Sequence, residues 1–432
     1  MTRPGTQQAQ AMNLLDRSIT LPGFRAVQLR GLGALASRLY AYLSGFLAVF
    51  LMAAYVSPAE FGEYSIYQSV LEAALVVGTL GSSLLFSREA GSVPPGVRRG
   101  DVLRTLAIGI PLATLLIVLI LKVQHLPVAG APFVLMVSTL AVFSFISLRL
   151  SYSRGLGYAG LLNLETGIRS SILVLGIAAL IVLGFELGAW QLLLINLLAF
   201  LLVGAASMRT GWAAGPPRGR PALRLQSQGG ATVYSLLMFL LRKSDLLVVA
   251  FFMPLGYVGA FKVAFLLAEA PSQFVQAFLY TKTRAMLGAE AGKLDASTLQ
   301  LAKQSFLLGC VLFAGLAALI TVAAPLLKVG HEALEIFLCI APYFLLRTYT
   351  IHHEMLLALK SPVAALGGWA LLEVALRLVS YGVVVSVFPG KPHYVFFIAF
   401  FTDFLLYEVR MRALFGFYPI VRLVRGSFER AS

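Results

Sequence analysis

The chain has 432 residues, of which 59% are hydrophobic and 12% charged, with a mean hydropathy of +0.85. That is more apolar surface than one soluble core can bury, which excludes an ordinary globular domain and predicts an integral membrane protein. The net charge of +15 does not point to nucleic acid, because the basic residues gather in loops on one side of the predicted bundle.

The first 30 residues hold Arg3, Arg17, Arg25 and Arg30 against Asp16, with no short apolar core and no small-residue cleavage site. They read as a cytoplasmic tail rather than a signal peptide. A crossing needs about 20 mostly apolar residues. Twelve stretches qualify: 31–56, 64–86, 102–123, 131–150, 160–184, 187–207, 229–253, 258–281, 302–327, 332–351, 362–388 and 393–409, the last interrupted by Asp403 and Glu408. Assigning alternate loops to alternate sides places 24 Lys and Arg on one side and only Lys122, Lys328 and Lys391 on the other. The positive-inside rule then puts both termini in the cytoplasm. Loops on the opposite side, such as SPAEFGE, GFELG and MPLGY, barely turn the chain. The stretch RTGWAAGPPRGRPALRLQSQGG between the sixth and seventh spans has the Pro, Gly and Arg content of a linker. The expected organisation is therefore an N-terminal tail (1–30), an N-lobe of helices 1 to 6 (31–208), a linker (209–228), a C-lobe of helices 7 to 12 (229–409) and a C-terminal tail (410–432).

The two lobes carry a repeat. The stretch from Tyr55, YVSPAEFGEYSIYQSVLEAALVVGTLGSS, overlays the stretch from Phe252, FMPLGYVGAFKVAFLLAEAPSQFVQAFLY, at an offset of 197 residues. Gly62 then falls on Gly259, Tyr64 on Phe261, Glu72 on Glu269 and Ala73 on Ala270. Each reads as a helical hairpin whose second helix carries one carboxylate, and a carboxylate at that depth costs about 2.5–3.5 kcal/mol to insert. Glu165 with Arg169 and Glu373 with Arg377 repeat an i, i+4 spacing at an offset of 208. Two homologous halves in direct repeat follow, related by an axis along the membrane normal.

Ionisable residues within the predicted spans face a bundle interior or a wet cavity. The bases are Arg38, Arg169, Arg242, Lys243, Lys262, Arg347 and Arg377, and the acids Glu72, Glu165, Asp245, Glu269, Glu373 and Asp403. In span two, Ser65, Ser69, Glu72, Thr79 and Ser83 share one helical stripe, and in span eight Lys262, Glu269, Gln273 and Gln276 do the same. Two such stripes suit the facing walls of one cavity, or they glue helices by hydrogen bonds. Arg242 and Asp245 are placed to neutralise one another at i, i+3, while Lys243 points about 100° away. Lys243 and Lys262 have no partner nearby in sequence, so they either hold an anionic ligand or pair with Glu72 or Glu269 across the cavity. Arg347 joins them as a ligand candidate, and Arg38 sits near a helix end where its chain can snorkel. The pairs Glu165–Arg169 and Glu373–Arg377 read as structural locks. Glu72, Asp245 and Glu269 are candidates for coupling transport to an ion. His352, His353 and Glu354 point to different faces of a helix, and Cys310 and Cys339 lie in apolar spans. With no Gly-rich phosphate loop or nucleophile elbow either, no metal, cofactor or catalytic residue is predicted.

The stretch RLYAYLSGFLAVFLMAAYVSPAEFGEYSIYQSVLEAALVVGTLGSSLLFSRE, with SPAEFGEY at its centre, resembles the polysaccharide-biosynthesis flippases. These are the Wzx-type branch of the superfamily that also holds the multidrug MATE exporters and the lipid II flippases. PLGYVGAF in the second half and RGLGYAGLLNLETGIR at 154–169 are weaker echoes. The resemblance implies an all-α polytopic membrane protein of twelve helices in two six-helix lobes set in a MATE-like V. It also implies movement of polyprenyl-diphosphate-linked oligosaccharide across the inner membrane for surface or exopolysaccharide assembly. The implied partners are that substrate, membrane lipid, a proton or sodium ion, and a polysaccharide polymerase or export machinery. Cavity-lining first, second, seventh and eighth helices in relatives point here to Arg38, Glu72, Arg242, Lys243, Lys262 and Glu269, although acids and bases are more nearly balanced than in some relatives. The competing expectations are a MATE-like cation-coupled drug exporter and a membrane glycosyltransferase or polymerase acting on the same lipid carriers. The short non-cytoplasmic loops, too small to wall a sugar pocket, weigh against an enzyme.

Overall fold

The structure is a computed structural model that describes residues 18–19, 27–83, 99–155, 159–208, 225–280, 291–328, 330–360 and 363–415. Apart from a two-residue antiparallel pairing of Ser18–Ile19 with Val27–Gln28, the regular elements there are helical. The long helices are α1 (Leu29–Tyr55), α2 (Pro58–Gly78), α3 (Arg99–Val123), α4 (Ala131–Gly155), α5 (Ala159–Val182), α6 (Ala189–Met208), α7 (Leu225–Lys243), α8 (Asp245–Phe252), α9 (Leu255–Tyr280), α10 (Ala291–Ala323), α11 (Gly330–Lys360), α12 (Val363–Val387) and α13 (Val395–Phe415). Seven of them contain stretches long and apolar enough to cross a membrane, in α3, α4, α6, α9, α10, α11 and α12. Shorter apolar segments lie in α1, α5 and α7. Helices overlap each of the expected stretches, but with other bounds: α2 ends at Gly78 rather than 86, α10 starts about three turns before the expected 302, α11 runs on to Lys360, and the seventh stretch is broken at Ser244 into α7 and α8.

The hairpin α1–α2 is dictated locally. Ser57 accepts a hydrogen bond from the Glu60 backbone N–H (3.2 Å), Pro58 occupies the first turn, and its missing N–H costs nothing there. The Glu60 carboxylate accepts from the Ala189 N–H at the start of α6 (2.7 Å), where a negative charge complements the helix dipole. At the other end of the N-half, Arg149 of α4 donates twice to the Ser207 carbonyl (2.9 and 2.6 Å), satisfying an orphan acceptor in the last turn of α6.

Packing within each half brings together helices distant in the chain as well as neighbours: α1 on α5, α4 on α6, α5 on α6 and α2 on α3; then α7 on α12, α9 on α11, α10 on α11 and α11 on α13. The halves meet where α9 crosses α2 and α1. That crossing is close because the repeat-related glycines face it. A Cβ on Gly62 would lie 1.9 Å from the Leu255 carbonyl oxygen, and one on Gly259 would lie 3.1 Å from the Pro58 oxygen. Around it, one continuous core joins Met52, Phe61 and Tyr67 to Phe261, Phe265, Phe344 and Phe396. At the same short-loop end, Lys328 donates its backbone N–H to the Ala53 carbonyl and its ammonium to the Tyr55 carbonyl (2.8 Å). Gln124 bonds the Leu247 carbonyl (3.0 Å), so three tethers hold the halves together there. Outward-facing leucines such as Leu115 and Leu175 are two-thirds exposed, the inverse of a soluble surface.

Candidate functional site

Charged side chains from both halves converge at the seam. Lys262 of α9 is buried, with 9% of its surface exposed, and among the described residues it forms no salt bridge or hydrogen bond. The charged groups around it, among the described residues, include Glu72 of α2, Lys243 of α7, Glu269 of α9 and Arg169 of α5. Lys243 is held by Glu269 at 2.9 Å and also lies over the Phe265 ring. Gln273 donates to the second oxygen of Glu269 (2.7 Å), so that carboxylate is engaged on both sides. Arg347 of α11 acts on both Lys243 and Glu269 and stacks on Phe344. Among the described residues four cations, Lys243, Lys262, Arg169 and Arg347, meet two carboxylates here, Glu72 and Glu269, while Arg347 also acts on Asp245. In a low-dielectric setting such an excess is poised for a multiply charged anion.

The sequence left open whether Lys243 and Lys262 bind a ligand or pair across the seam. The two lysines divide: Lys243 pairs with Glu269, while Lys262 has no direct carboxylate among the described residues. The polar stripe on α2 divides as well. Ser65 and Thr79 turn back onto their own helix, bonding the Phe61 and Leu75 carbonyls, whereas Glu72 is part-buried and forms no salt bridge among the described residues.

A second cluster lies inside the C-half. Arg377 of α12 bonds Asp403 of α13 (2.8 Å), the Tyr343 hydroxyl of α11 (2.8 Å) and Asp245 at the start of α8 (3.5 Å), while Tyr381 donates to Asp245 (2.8 Å). This corrects one sequence expectation and adds to another. Asp245 is engaged by Arg377 and Tyr381 from across the C-half, partners its spacing to Arg242 did not suggest. Glu373 does not lock Arg377 at i, i+4: Glu373 takes Arg410 of α13 (2.8 Å), and Arg377 takes the two aspartates. A guanidinium offers several donors, and in a buried site an aspartate pair on neighbouring helices satisfies more of them than one carboxylate on its own helix. Arg169 lies over the faces of Phe200 (4.6 Å) and Phe143 (5.7 Å), an arrangement sequence spacing had not suggested. The side chains of Arg38, Glu165, Arg242, His352, His353 and Glu354 lie outside the described residues.

Among residues sequence reasoning missed, Tyr381 sits four positions from Arg377 on the same helix face, a signal that was available. Phe143, Phe200 and Gln124 had none. No metal-holding group of His, Cys, Asp or Glu is found among the described residues.

No family model and no curated protein matches this chain. Its fold, however, matches solved structures. A multidrug resistance MATE family transporter of the MOP superfamily, in an inward-facing conformation, superposes with a TM-score of 0.64 at 14% identity, over 89% of this chain and 98% of that one. The lipid II flippase MurJ, inward closed, gives 0.57 at 12% identity, over 87% of each chain. A MOP superfamily transporter from Pyrococcus furiosus, described as having a binding pocket of reversed polarity, gives 0.52 at 14% identity, over 89% and 95%. The chain therefore has the MATE-like fold, and the neighbours are transporters and flippases rather than enzymes.

Proposed function

We propose that this protein is a flippase that carries polyprenyl-diphosphate-linked oligosaccharide across the inner membrane by alternating access, for cell-surface or exopolysaccharide assembly. In this reading α7 and α8 together form a seventh crossing, so that twelve crossings make two six-helix lobes with both termini in the cytoplasm. The observation that carries it is Lys262: a buried ammonium that, among the described residues, has no carboxylate of its own, at the seam of two repeat-related halves, in a cluster where the described cations outnumber the acids. A diphosphate supplies the missing negative charge. Lys243 and Arg347 complete the headgroup site, with Arg38 and Arg242 as further cavity candidates.

Glu72 carries the coupling role, to a proton or sodium ion, since Glu269 and Asp245 are already engaged by Lys243 and by Arg377 with Tyr381. The short-loop end, tethered by Lys328 and Gln124, is the closed outward gate. Polysaccharide polymerase or export machinery would receive the product.

The test is genetic and chemical. A strain lacking the protein should accumulate lipid-linked oligosaccharide on the inner leaflet, restored to normal by the wild-type chain and not by Lys262→Ala. Normal glycan export in the deletion strain, or full rescue by Lys262→Ala, overturns the assignment. The drug-exporter reading draws on the first structural neighbour. Efflux of rhodamine 6G by the wild type, lost in Glu72→Gln, would favour it over the flippase, whose excess cations repel such a dye.

A further inference from the structure

At the short-loop end, beside the Lys328 tether, lies a groove of about 740 Å³. Singly, the loops there are too small to wall a sugar pocket, as their sequences suggest; two of them together are not. Tyr55 and Glu60, at the α1–α2 turn, line the groove with Phe185, Glu186 and Trp190 of the α5–α6 connection, and Lys328 completes it. The walls are braced. Glu60 holds the Ala189 N–H (2.7 Å), and Gln191 accepts from the Gly188 N–H (3.0 Å) and donates to the Glu186 carbonyl (3.1 Å). Lys328 donates to the Tyr55 carbonyl (2.8 Å). Walls fixed in advance lower the ordering cost of binding.

The chemistry of the lining selects the occupant. Tyr55, Phe185 and Trp190 leave 56%, 61% and 48% of their surface exposed. Rings at a membrane interface serve as anchors, but an anchor needs only lipid, and these three share a hollow with two carboxylates and an ammonium. Among the described residues one Glu60 oxygen, the Glu186 carboxylate and the Trp190 indole N–H have no hydrogen-bond partner. A pyranose ring matches this set, because its C–H face packs on an aromatic ring while its hydroxyls donate to carboxylates. A hydrocarbon chain would leave the carboxylates unmet, and a small ion would leave the rings unused. The charges of Glu60, Glu186 and Lys328 sum to −1, which favours neutral or amino sugars over acidic ones. The volume suits a drug-sized ligand, such as a di- or trisaccharide. A neighbouring hollow that shares Lys328, lined by Glu332, Glu335 and Lys391, has no such exposed ring, since its Tyr257 is buried.

We propose that this groove is a saccharide subsite on the outer face, taking the leading sugars of the glycan as it leaves the headgroup site. This rests on the flippase reading, with the short loops outside, and adds a second station with its own chemistry. Lys262 stands seven residues after Leu255, the first of α9, so the headgroup lies about 10 Å from the short-loop end. Lys328 belongs both to the groove and to the tether on α1, so the groove is complete while that tether holds and is open to sugar without turnover.

The experiment uses the full chain in phosphatidylcholine nanodiscs. The probe is the oligosaccharide freed by mild acid from the lipid-linked material that a strain lacking the protein accumulates. Binding is read by saturation-transfer difference NMR on the sugar ring protons. A saturable signal is expected. Affinity should fall about tenfold in Trp190→Ala and in Glu186→Gln, both at exposed positions where the fold is tolerant, and stay the same in the lipid-facing Phe401→Ala. No saturable signal, or one that survives both Trp190→Ala and Glu186→Gln, overturns the subsite and leaves the flippase reading standing. A strain that accumulates no lipid-linked oligosaccharide overturns that reading and this proposal with it. A freed oligosaccharide that carries acidic sugars and still binds here overturns the preference by charge. Rhodamine 6G bound at Trp190, with no sugar signal, assigns the groove to organic cations and overturns the proposal too.

Discussion

A single methyl group added at Gly62 should open the short-loop end of the molecule. The new Cβ would meet the Leu255 carbonyl oxygen at 1.9 Å, its carbon at 2.7 Å and its Cα at 3.1 Å. These are backbone atoms, which cannot swing aside as a side chain does. Ordinary C···O contact begins near about 3.3 Å, so α2 and α9 must separate by about 1.4 Å or more where they cross. Overpacking of this kind costs about 1–3 kcal/mol. If the whole cost falls on the conformation in which the two hairpins touch, the ratio of closed to open molecules drops by about 5- to 150-fold. Nitroxide labels on Trp190 and Lys391, in a background with Cys310 and Cys339 replaced by Ala, report that separation as a distance distribution by pulsed electron resonance. Gly62→Ala should move weight to longer distances. Gly259→Ala, whose Cβ would come no nearer than 3.1 Å to any atom, should do so less, and Gly45→Ala, with nothing within 4 Å, not at all. An unchanged distribution in Gly62→Ala, in protein that is folded, would refute the claim that this crossing is the seam at which the halves part.

Other outcomes follow from the same charges. Lys262→Met should abolish glycan export while leaving the melting temperature unchanged or raised, because it removes a buried cation that abandons no carboxylate among the described residues; a clear fall in Tm would mean that Lys262 is structural. Arg377→Met strands Asp245 and Asp403, and should destabilise by about 3–5 kcal/mol, seen as a lower denaturation midpoint in detergent. Its conservative partner Arg377→Lys, which cannot reach both aspartates with a fork, should recover only part of that loss. Lys391→Ala breaks the bond to Glu335, but both side chains are about half exposed, so stability should change by less than about 1 kcal/mol in the same assay.

How much of this was written in the chain can be judged from particular residues. The repeat match of Gly62 with Gly259 came from sequence alone, and so did the prediction that carboxylates and lysines in apolar spans would face inward, because the penalty for leaving them in lipid holds wherever the helix ends up. Their partners were another matter. Spacing suggested Glu373 for Arg377, since neighbours at i, i+3 and i, i+4 are what a sequence can see. Arg377 instead sits between Asp245 and Asp403, which stand 132 and 26 residues from it in the chain. Arg169 found two aromatic faces that no spacing rule links to it.

By itself, then, the sequence determined the class of molecule, the positions of most helices and the inward direction of the buried charges. These depend on transfer free energies and helical periodicity, which are properties of short segments. Only the tertiary structure decided which charges cancel and which is left over. Glu269 takes Lys243 and spares Lys262 because α7 and α9 approach where they do, and that approach is set by glycine contacts and aromatic packing spread over both halves.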